Sequence, residues 1–286
     1  MKQSSKWQKK LLEYRRNPAS ALMMLLVIAA AVITFAVLLY IIGYILVKGV
    51  GHLKPSLFAW EYTTENVSML PAFVNTILMT LCSLIIAVPF GILTAVYLIE
   101  YARRGHWLVK LIRLTAETLS GIPSIVYGLF GLLFFVTYLG WGYSIVAGAL
   151  TLSIMILPLI LRTTEEALKS VPDLYREASF GLGAGRLRTV FKIVLPAAVP
   201  GILAGVILAV GRIVGETAAL VYTAGTVAQI PENLMDSGRT LAIHMYLLSS
   251  EGLYTDQAYA TAVVLLVLVL LMNTLSAFVA RKIAKG

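Results

Sequence analysis

Long uncharged stretches alternate with short polar ones along this chain. Residues 22–47 and residues 72–99 each contain no charged side chain. Because about 20 mostly apolar residues suffice for a helix to cross a bilayer, we expect each stretch to be a membrane-spanning helix. The same criterion gives four more spans: residues 119–139, 141–161, 196–224 and 260–280. The pattern therefore predicts an all-α polytopic membrane protein with about six transmembrane helices.

The composition agrees with that prediction. Of the 286 residues, 59% are hydrophobic and 13% are charged, against roughly 45–50% and about 25% in soluble domains. The mean hydropathy is +0.87. These values exclude an ordinary soluble enzyme and a disordered chain. The single cysteine, Cys82, excludes a disulfide scaffold.

The distribution of Lys and Arg predicts how the chain is oriented. Nineteen of the 23 lie in the N-terminal tail, the loops after the second and fourth spans, and the C-terminus. By the positive-inside rule, both termini are then cytoplasmic, and the net charge of +9 reflects topology, with no nucleic acid expected as a partner. The expected domains are a basic cytoplasmic tail (1–21), a first transmembrane helix with an external loop (22–70), a transmembrane domain (71–280) and a cytoplasmic C-terminus (281–286).

A polar interval of about 35 residues, 162–196, separates the fourth and fifth spans, and it is too long for a turn. Residues 164–166 predict the start of one helix, and Pro172 breaks it. A second short helix is expected over residues 174–182, and residues 186–194 resume as a helix. Three glycines are expected to end the second helix: Gly181, Gly183 and Gly185.

Part of this interval resembles the EAA loop of ABC-importer permeases, in which EAA is followed by three residues, Gly, nine residues and I-x-L-P. The matching residues are Glu177, Ala178, Ser179, Gly183, Ile193, Leu195 and Pro196, with Ser179 standing where the family has its third alanine. The resemblance implies that these residues couple the membrane helices to an ATPase, because in the family the short helix docks in a groove of a cytoplasmic ATP-binding subunit. We call residues 162–196 the coupling segment. The alternative is a solvated loop with ordinary turn glycines.

This chain is expected to be a non-enzymatic subunit without a cofactor. It lacks the phosphate-binding motif G-x-x-x-x-G-K-[ST], and Gly181–Gly185 is followed by neither Lys-Ser nor Lys-Thr. Its three histidines do not cluster as metal ligands do. We therefore expect ATP and Mg²⁺ to be bound by a partner ATPase.

Two charges interrupt the fifth span. The i,i+4 spacing of Arg212 and Glu216 predicts that both occupy one face of a helix, and Arg212 would lie about 18 Å beyond Pro200, near the midplane. A charge at that depth costs about 2.5–3.5 kcal/mol and normally faces a protein interior or an aqueous path. The planar fork of Arg suits phosphate-like oxyanions. The alternative is an interhelical clamp in which Glu216 or another helix satisfies Arg212.

Other features of the spans concern cavity lining and packing. Glycine and proline interrupt the third span over residues 121–128, and broken backbone in a membrane is tolerated where it lines a cavity. Ser124, Tyr127 and Thr217 offer hydroxyls for such a cavity, although a local hydrogen bond to the helix backbone is the alternative for each. The glycine pairs 201/205 and 211/215 predict close helix packing.

Four short segments resemble the permease subunits of the phosphate-specific ABC importer, a type I importer, over roughly residues 71–280. They are GIPSIVYG (121–128), LPAAVPGI (195–202), RIVGETA (212–218) and TLAIHMY (240–246), the last pointing to the A-type permeases (PstA). Ala219 departs from the family, which often has proline there. The resemblance implies that Arg212 and Glu216 are intramembrane charges important for phosphate transport.

The same resemblance implies a set of partners in a bacterial or archaeal cytoplasmic membrane. They are a C-type permease that completes a heterodimeric pore, a dimer of ATP-binding subunits and an extracytoplasmic phosphate-binding protein. A permease for another oxyanion, such as sulfate, molybdate or phosphonate, is the alternative within this class. A secondary transporter with Glu216 as proton carrier is the alternative outside it.

Overall fold

The computed structural model describes residues 18–103 and 105–285, in which every regular element is a helix. Most of the basic tail expected over residues 1–21 lies outside the described residues. The helices are α1 (Pro18–Val50), α2 (Leu70–Val96), α3 (Trp107–Ser120), α4 (Ser124–Gly131), α5 (Ile145–Ser170), α6 (Asp173–Gly181), α7 (Arg186–Thr189), α8 (Leu195–Val214), α9 (Ala218–Val221), α10 (Leu241–Glu251) and α11 (Thr255–Lys285). Shorter turns extend or connect them: a 3₁₀ turn at Pro55–Phe58 and π-helical turns at Tyr97–Tyr101, Leu132–Tyr138 and Val190–Val194.

The helix α5 lies at the centre of the molecule, between α2 and α8. Its residues Leu152, Met155 and Ile156 are almost fully buried, in a cluster with Met79 of α2 and Ile213 of α8. On the far side of α8, α11 packs against it, and α1 packs on the outside of α11. Sixteen of its 26 residues are buried, around most of the helix circumference, as expected for a helix that is apolar on all sides and lies in the interior of a bundle.

Five of the described helical stretches are long and apolar enough to cross a membrane: Ala19–Val50, Leu70–Tyr101, Ile145–Ser170, Arg186–Val214 and Thr255–Val279. A sixth crossing exists only if α3 and the stretch Ser124–Tyr138 are counted together, and these two are bent by 104°. The third span expected over residues 119–139 is therefore broken at residues 121–123, within the segment where glycine and proline were expected to interrupt it. Pro123 explains the break, because the residue before a proline disfavours helical geometry.

Three other predicted boundaries differ from the structure. The helix α5 begins at Ile145 instead of residue 141 and runs unbroken to Ser170, so Thr164 starts no new helix. Its apolar face continues through Leu161, Thr164 and Leu168, all buried, and packing therefore carries the helix past the polar residues. The fifth span ends at Val214 instead of residue 224, and a separate short helix, α9, follows.

The second half of the coupling segment agrees with the sequence. The helix expected over residues 174–182 is α6, and Pro172 precedes it as the break. Residues 186–194 are helical and lead into α8 without interruption. The helix α10 was not predicted from the sequence.

Ion pairs and a cation–π contact join residues 97–113 to residues 162–195 at one end of the bundle. We call this the basic end. At the opposite end, the loop after α1 packs on α10 and α11 through Val67, Leu248 and Ala258.

Candidate functional site

A cavity of about 390 Å³ opens among α3, α5 and α8 near the basic end. A water molecule takes up about 30 Å³ in the liquid, so the cavity has room for a small hydrated ion. Charged side chains from all three helices contribute to its wall. They are Arg113, Glu117, Arg162, Glu165, Glu166, Lys169 and Arg212.

Most of these charges are paired with one another. The carboxylate of Glu165, which is mostly buried, accepts from Arg113 Nε at 3.2 Å and from Lys169 Nζ at 3.0 Å. Arg162 Nε lies 3.4 Å from Glu166 Oε1, and both of those side chains are exposed. The Arg113–Glu165 pair holds α3 against α5, and the Lys169–Glu165 pair lies within α5. An exposed pair such as Arg162–Glu166 contributes little to stability.

Arg212 differs from the other cations in this wall. It lies in the last turn of α8, is half-buried, and has no carboxylate within 4 Å among the residues that the structure describes. Its guanidinium carries five N–H donors. An unpaired arginine in the wall of a cavity can therefore donate two parallel hydrogen bonds to an oxyanion.

Glu216 lies apart from Arg212, and the prediction that the two share one helical face is wrong. The helix α8 ends at Val214, and Gly215 follows as its C-terminal cap. The buried carboxylate of Glu216 accepts a hydrogen bond from the backbone N–H of Ala219 at 3.0 Å. Because side-chain oxygens satisfy free N–H groups at helix starts, Glu216 stabilises the start of α9 instead of continuing α8.

The hydroxyls expected to line a cavity at the broken backbone do not line the cavity around Arg212. Ser124 and Thr217 are half-buried and do not belong to its lining. Tyr127 is buried and donates to the carbonyl of Leu119 at 2.7 Å, across the break between α3 and α4. In the described part of the chain, no group of three His, Cys, Asp or Glu could hold a metal ion.

The two intramembrane motifs meet in the structure. A methyl group on Gly128 of α4 would come within 2.8 Å of the Cα of Ala219 in α9, closer than Cβ contacts in real structures. The sequences GIPSIVYG and RIVGETA therefore form one packed unit. Of the four glycines expected to pack, Gly201 and Gly205 do so closely, against Ala167 and Thr163 of α5. A methyl group on Gly211 would meet only Asn273 of α11, at 3.9 Å, and one on Gly215 would meet no other helix within 4 Å.

The coupling segment is built as a short helix with a tight exit. Ser179 is buried, and its hydroxyl lies 2.8 Å from the hydroxyl of Thr189, which ties α6 to α7. Gly183 has φ +81°, a left-handed conformation that costs a non-glycine residue about 1–2 kcal/mol. Leu195 is half-buried at the start of α8. Of the remaining residues expected to couple, Ile193 is half-buried, and Glu177, Ala178 and Pro196 are exposed.

Large apolar side chains on α6 and its exit are exposed as well. Leu182 is 90% exposed, and four other large apolar side chains between residues 174 and 187 are exposed too: Leu174, Tyr175, Phe180 and Leu187. Contiguous exposed apolar residues outside a membrane mark contact sites for other proteins. We call Leu174, Tyr175, Phe180, Leu182 and Leu187 the apolar surface of α6.

The structure also shows one functional candidate that the sequence reasoning missed. Arg176, in the middle of α6, forms a buried ion pair with Glu100 in the π-helical turn after α2. The sequence carried a signal for it, since Glu100 is the first charge after the long uncharged stretch 72–99. Arg176 had been interpreted only as a topology charge.

Residues 87–285 match a protein family described as the binding-protein-dependent transport system inner membrane component. The probable ABC transporter permease protein YqgI of Bacillus subtilis (strain 168) is 36% identical over 266 residues, 85% of this chain and 88% of that protein. This chain belongs to that family. The phosphate transport system permease protein PstA 2 of Mycobacterium bovis (strain ATCC BAA-935 / AF2122/97) is 34% identical over 263 residues, 91% of this chain and 87% of that protein.

A solved structure agrees with the family at the level of the fold. A chain of a bacterial alginate ABC transporter, in complex with an alginate-pentasaccharide-bound periplasmic protein, superposes with a TM-score of 0.68 at 17% identity, covering 96% of this chain and 98% of that one. The fold is that of the transmembrane domains of type I ABC importers. For a member of this family, the apolar surface of α6 and the cavity around Arg212 are the two candidate sites.

Proposed function

We propose that this chain is the A-type permease of an ATP-driven phosphate importer and forms half of its translocation pore. Several relatives at about 34% identity carry the name of a phosphate transport permease. The observation that carries the proposal is the cavity wall in which Arg212 has no carboxylate partner. Such an arginine offers its paired donors to an oxyanion such as phosphate.

The orientation that we propose places the basic end in the cytoplasm, in line with the excess of Lys and Arg there. The cavity then lies on the cytoplasmic half of the pathway, and phosphate reaches Arg212 after an extracytoplasmic binding protein has delivered it. Ser124 and Thr217 are proposed to line the outer part of the pathway, next to the broken backbone at Gly121. A C-type permease supplies the opposite wall.

ATP hydrolysis is assigned to a dimer of partner subunits, which also bind Mg²⁺. The apolar surface of α6 is proposed to seat in that ATPase together with Glu177 and Ala178, since their side chains are exposed. Ser179 faces Thr189 and holds the helix rigid. Closure of the ATPase dimer would move α6 as one body, and the helical connection through Val190–Val194 would pass the movement to α8 and Arg212.

The test is uptake of labelled phosphate by cells that lack this chain, with and without the chain restored. We expect restored uptake that excess unlabelled sulfate or molybdate does not reduce. Inhibition by one of those anions would overturn the assignment of phosphate and indicate another oxyanion. Uptake that stops with an uncoupler and ignores ATP depletion would overturn the ATP-driven mechanism and favour a secondary transporter with Glu216 as proton carrier.

A further inference from the structure

We call α6 the coupling helix. One arginine in it, Arg176, uses all of its N–H donors in hydrogen bonds. Arg176 Nε and Nη2 reach Glu100 Oε1 at 3.1 and 2.7 Å, and Nη2 also donates to the carbonyl of Leu168 at 3.0 Å. Its Nη1 donates to the carbonyl of Val171 at 2.9 Å and to Asp173 Oδ1 at 3.1 Å. The five N–H groups of the guanidinium are thereby satisfied.

These contacts join three helices through one side chain. Glu100 belongs to the π-helical turn that ends α2, the carbonyls of Leu168 and Val171 are at the end of α5, and Arg176 belongs to α6. The side chains of Arg176 and Glu100 are only 15% and 8% exposed. Removing one partner of a buried ion pair leaves an uncompensated charge, so the contact is expensive to open.

Tyr101, which follows Glu100 in the same turn, contacts the part of the coupling segment after Gly183. The guanidinium of Arg186, which begins α7, lies 5.2 Å from the centre of the Tyr101 ring. The turn therefore contacts the coupling segment on both sides of Gly183. Glu100 pairs with Arg176 before it, and Tyr101 contacts Arg186 after it.

We propose that the Glu100–Arg176 pair is the positioning contact that makes α2, α5 and α6 move as one body when the coupling helix is displaced. Arg176 and Glu100 act through α6 and contact neither phosphate nor ATP. The proposal rests on the proposed function, because it assigns the route by which ATPase movement reaches the membrane helices. A contact that served folding alone would lower the amount of transporter without changing how much ATP each transported ion consumes.

The first experiment measures ATP hydrolysed per phosphate imported in proteoliposomes that contain the complete importer and its binding protein. Glu100→Gln and Arg176→Gln should raise this ratio at least tenfold, with uptake falling and ATPase activity retained. Arg176→Lys keeps the positive charge but loses the planar guanidinium with its five N–H donors. It should therefore give an intermediate ratio of ATP hydrolysed to phosphate imported. Asp173→Asn removes the exposed partner of the same arginine and should keep the wild-type ratio. An unchanged ratio in Glu100→Gln, at any level of uptake, would overturn the proposal.

A second measurement is independent of the substrate, so it separates this proposal from the assignment of phosphate. Spin labels are attached through Leu93→Cys in α2 and Asp173→Cys in α6, in a Cys82→Ser background. With the native ion pair, the distance between the labels should be the same in the nucleotide-free and the vanadate-trapped complex. With Glu100→Gln the distance should change on trapping, and an unchanged distance would contradict the proposal even if phosphate is not the substrate.

Discussion

The coupling segment and the membrane cavity use arginine in opposite ways. Arg176 has every donor occupied by groups from its own chain, whereas Arg212 has no carboxylate within 4 Å among the described residues. A fully satisfied guanidinium fixes the elements around it, and an unpaired one remains available to a ligand. The comparison teaches that the number of partners already present, more than burial, separates an arginine that holds the structure together from one that can bind an ion.

The largest expected effect comes from Arg212→Gln. Two charge-assisted hydrogen bonds, at about 1.5 kcal/mol each or more, would be lost from the passing anion, so uptake should fall about 100-fold. The thermal stability of the purified protein should stay near wild type, because no ion pair is broken. Labelled-phosphate uptake and membrane content check this, with Lys110→Gln as an exposed cation on α3 for control. If Arg212→Gln protein disappears from the membrane, the clamp interpretation of Arg212 is right after all.

A smaller effect is expected at the exit of the coupling helix. Gly183→Ala forces a side chain into the left-handed region, at a cost of about 1–2 kcal/mol, and should lower uptake about tenfold while ATPase subunits bind more weakly. Gly181→Ala is the matched control, since a methyl group there meets nothing within 4 Å and its φ is ordinary. Uptake and co-purification of the ATPase are measured together. Equal behaviour of the two variants would contradict the role given to the turn.

The contact between the two intramembrane motifs can be tested in the same way. Gly128→Ala places a methyl group against the backbone of Ala219, and such overpacking costs about 1–3 kcal/mol. Its unfolding temperature should fall by several degrees, and uptake should fall a few-fold. Gly121→Ala, at the start of the same motif, finds only an ordinary contact at 3.6 Å and should behave as wild type. Similar unfolding temperatures for both would show that the motifs do not pack as described.

A last effect, on stability alone, concerns the end opposite the basic end, where His244 of α10 is buried beside Arg239. Burial, followed by the charge of Arg239, lowers the pKa of His244 from 6.5 to about 3. The unfolded chain therefore binds the extra proton between these two values and the folded chain does not, so stability present above pH 6.5 is lost as the pH falls towards 3, by up to about 1.4 kcal/mol per unit.

Thermal unfolding of the detergent-solubilised protein at pH 7 and pH 5 measures this slope. We expect His244→Gln to flatten it. A wild-type protein with no pH slope, or the same slope in His244→Gln, would contradict the assignment to His244. The result would show whether burial of the His244 imidazole accounts for the loss of stability below pH 6.5.

The sequence predicted the fold class, the family and the coupling helix because each depends on local signals. Uncharged stretches predict spans, and the motif from Glu177 to Pro196 is contained in 20 consecutive residues. Span boundaries were less predictable, since they depend on packing. The helix α5 continues through Thr164 because its buried face continues, and α8 stops at Val214 because Gly215 and the carboxylate of Glu216 favour a new start at α9.

The site was predictable in part. Arg212 was identified because a charge in an apolar stretch is conspicuous, and the structure places it in a cavity wall. Its role there remains a prediction. Two ion pairs were not predictable: Arg113–Glu165 in the cavity wall and Glu100–Arg176. Each joins residues more than 50 positions apart in the sequence. Hydrophobic periodicity carries no information about which distant charges will meet, so these contacts required the folded structure.

The outermost helix has a consequence for the lipid around it. The uncharged stretch within α1 has 26 residues, 22–47, and at 1.5 Å per residue it is about 39 Å long, against a hydrocarbon thickness of about 30 Å. Hydrophobic mismatch of this size is relieved by tilting the helix, by about 40°, or by thickening the bilayer locally. The helix α1 contacts α11 through the Tyr44 and Tyr259 rings, whose centres are 5.9 Å apart. The length of the lipid acyl chains should therefore affect the packing of α1 on α11, and longer lipids should reduce the tilt of α1.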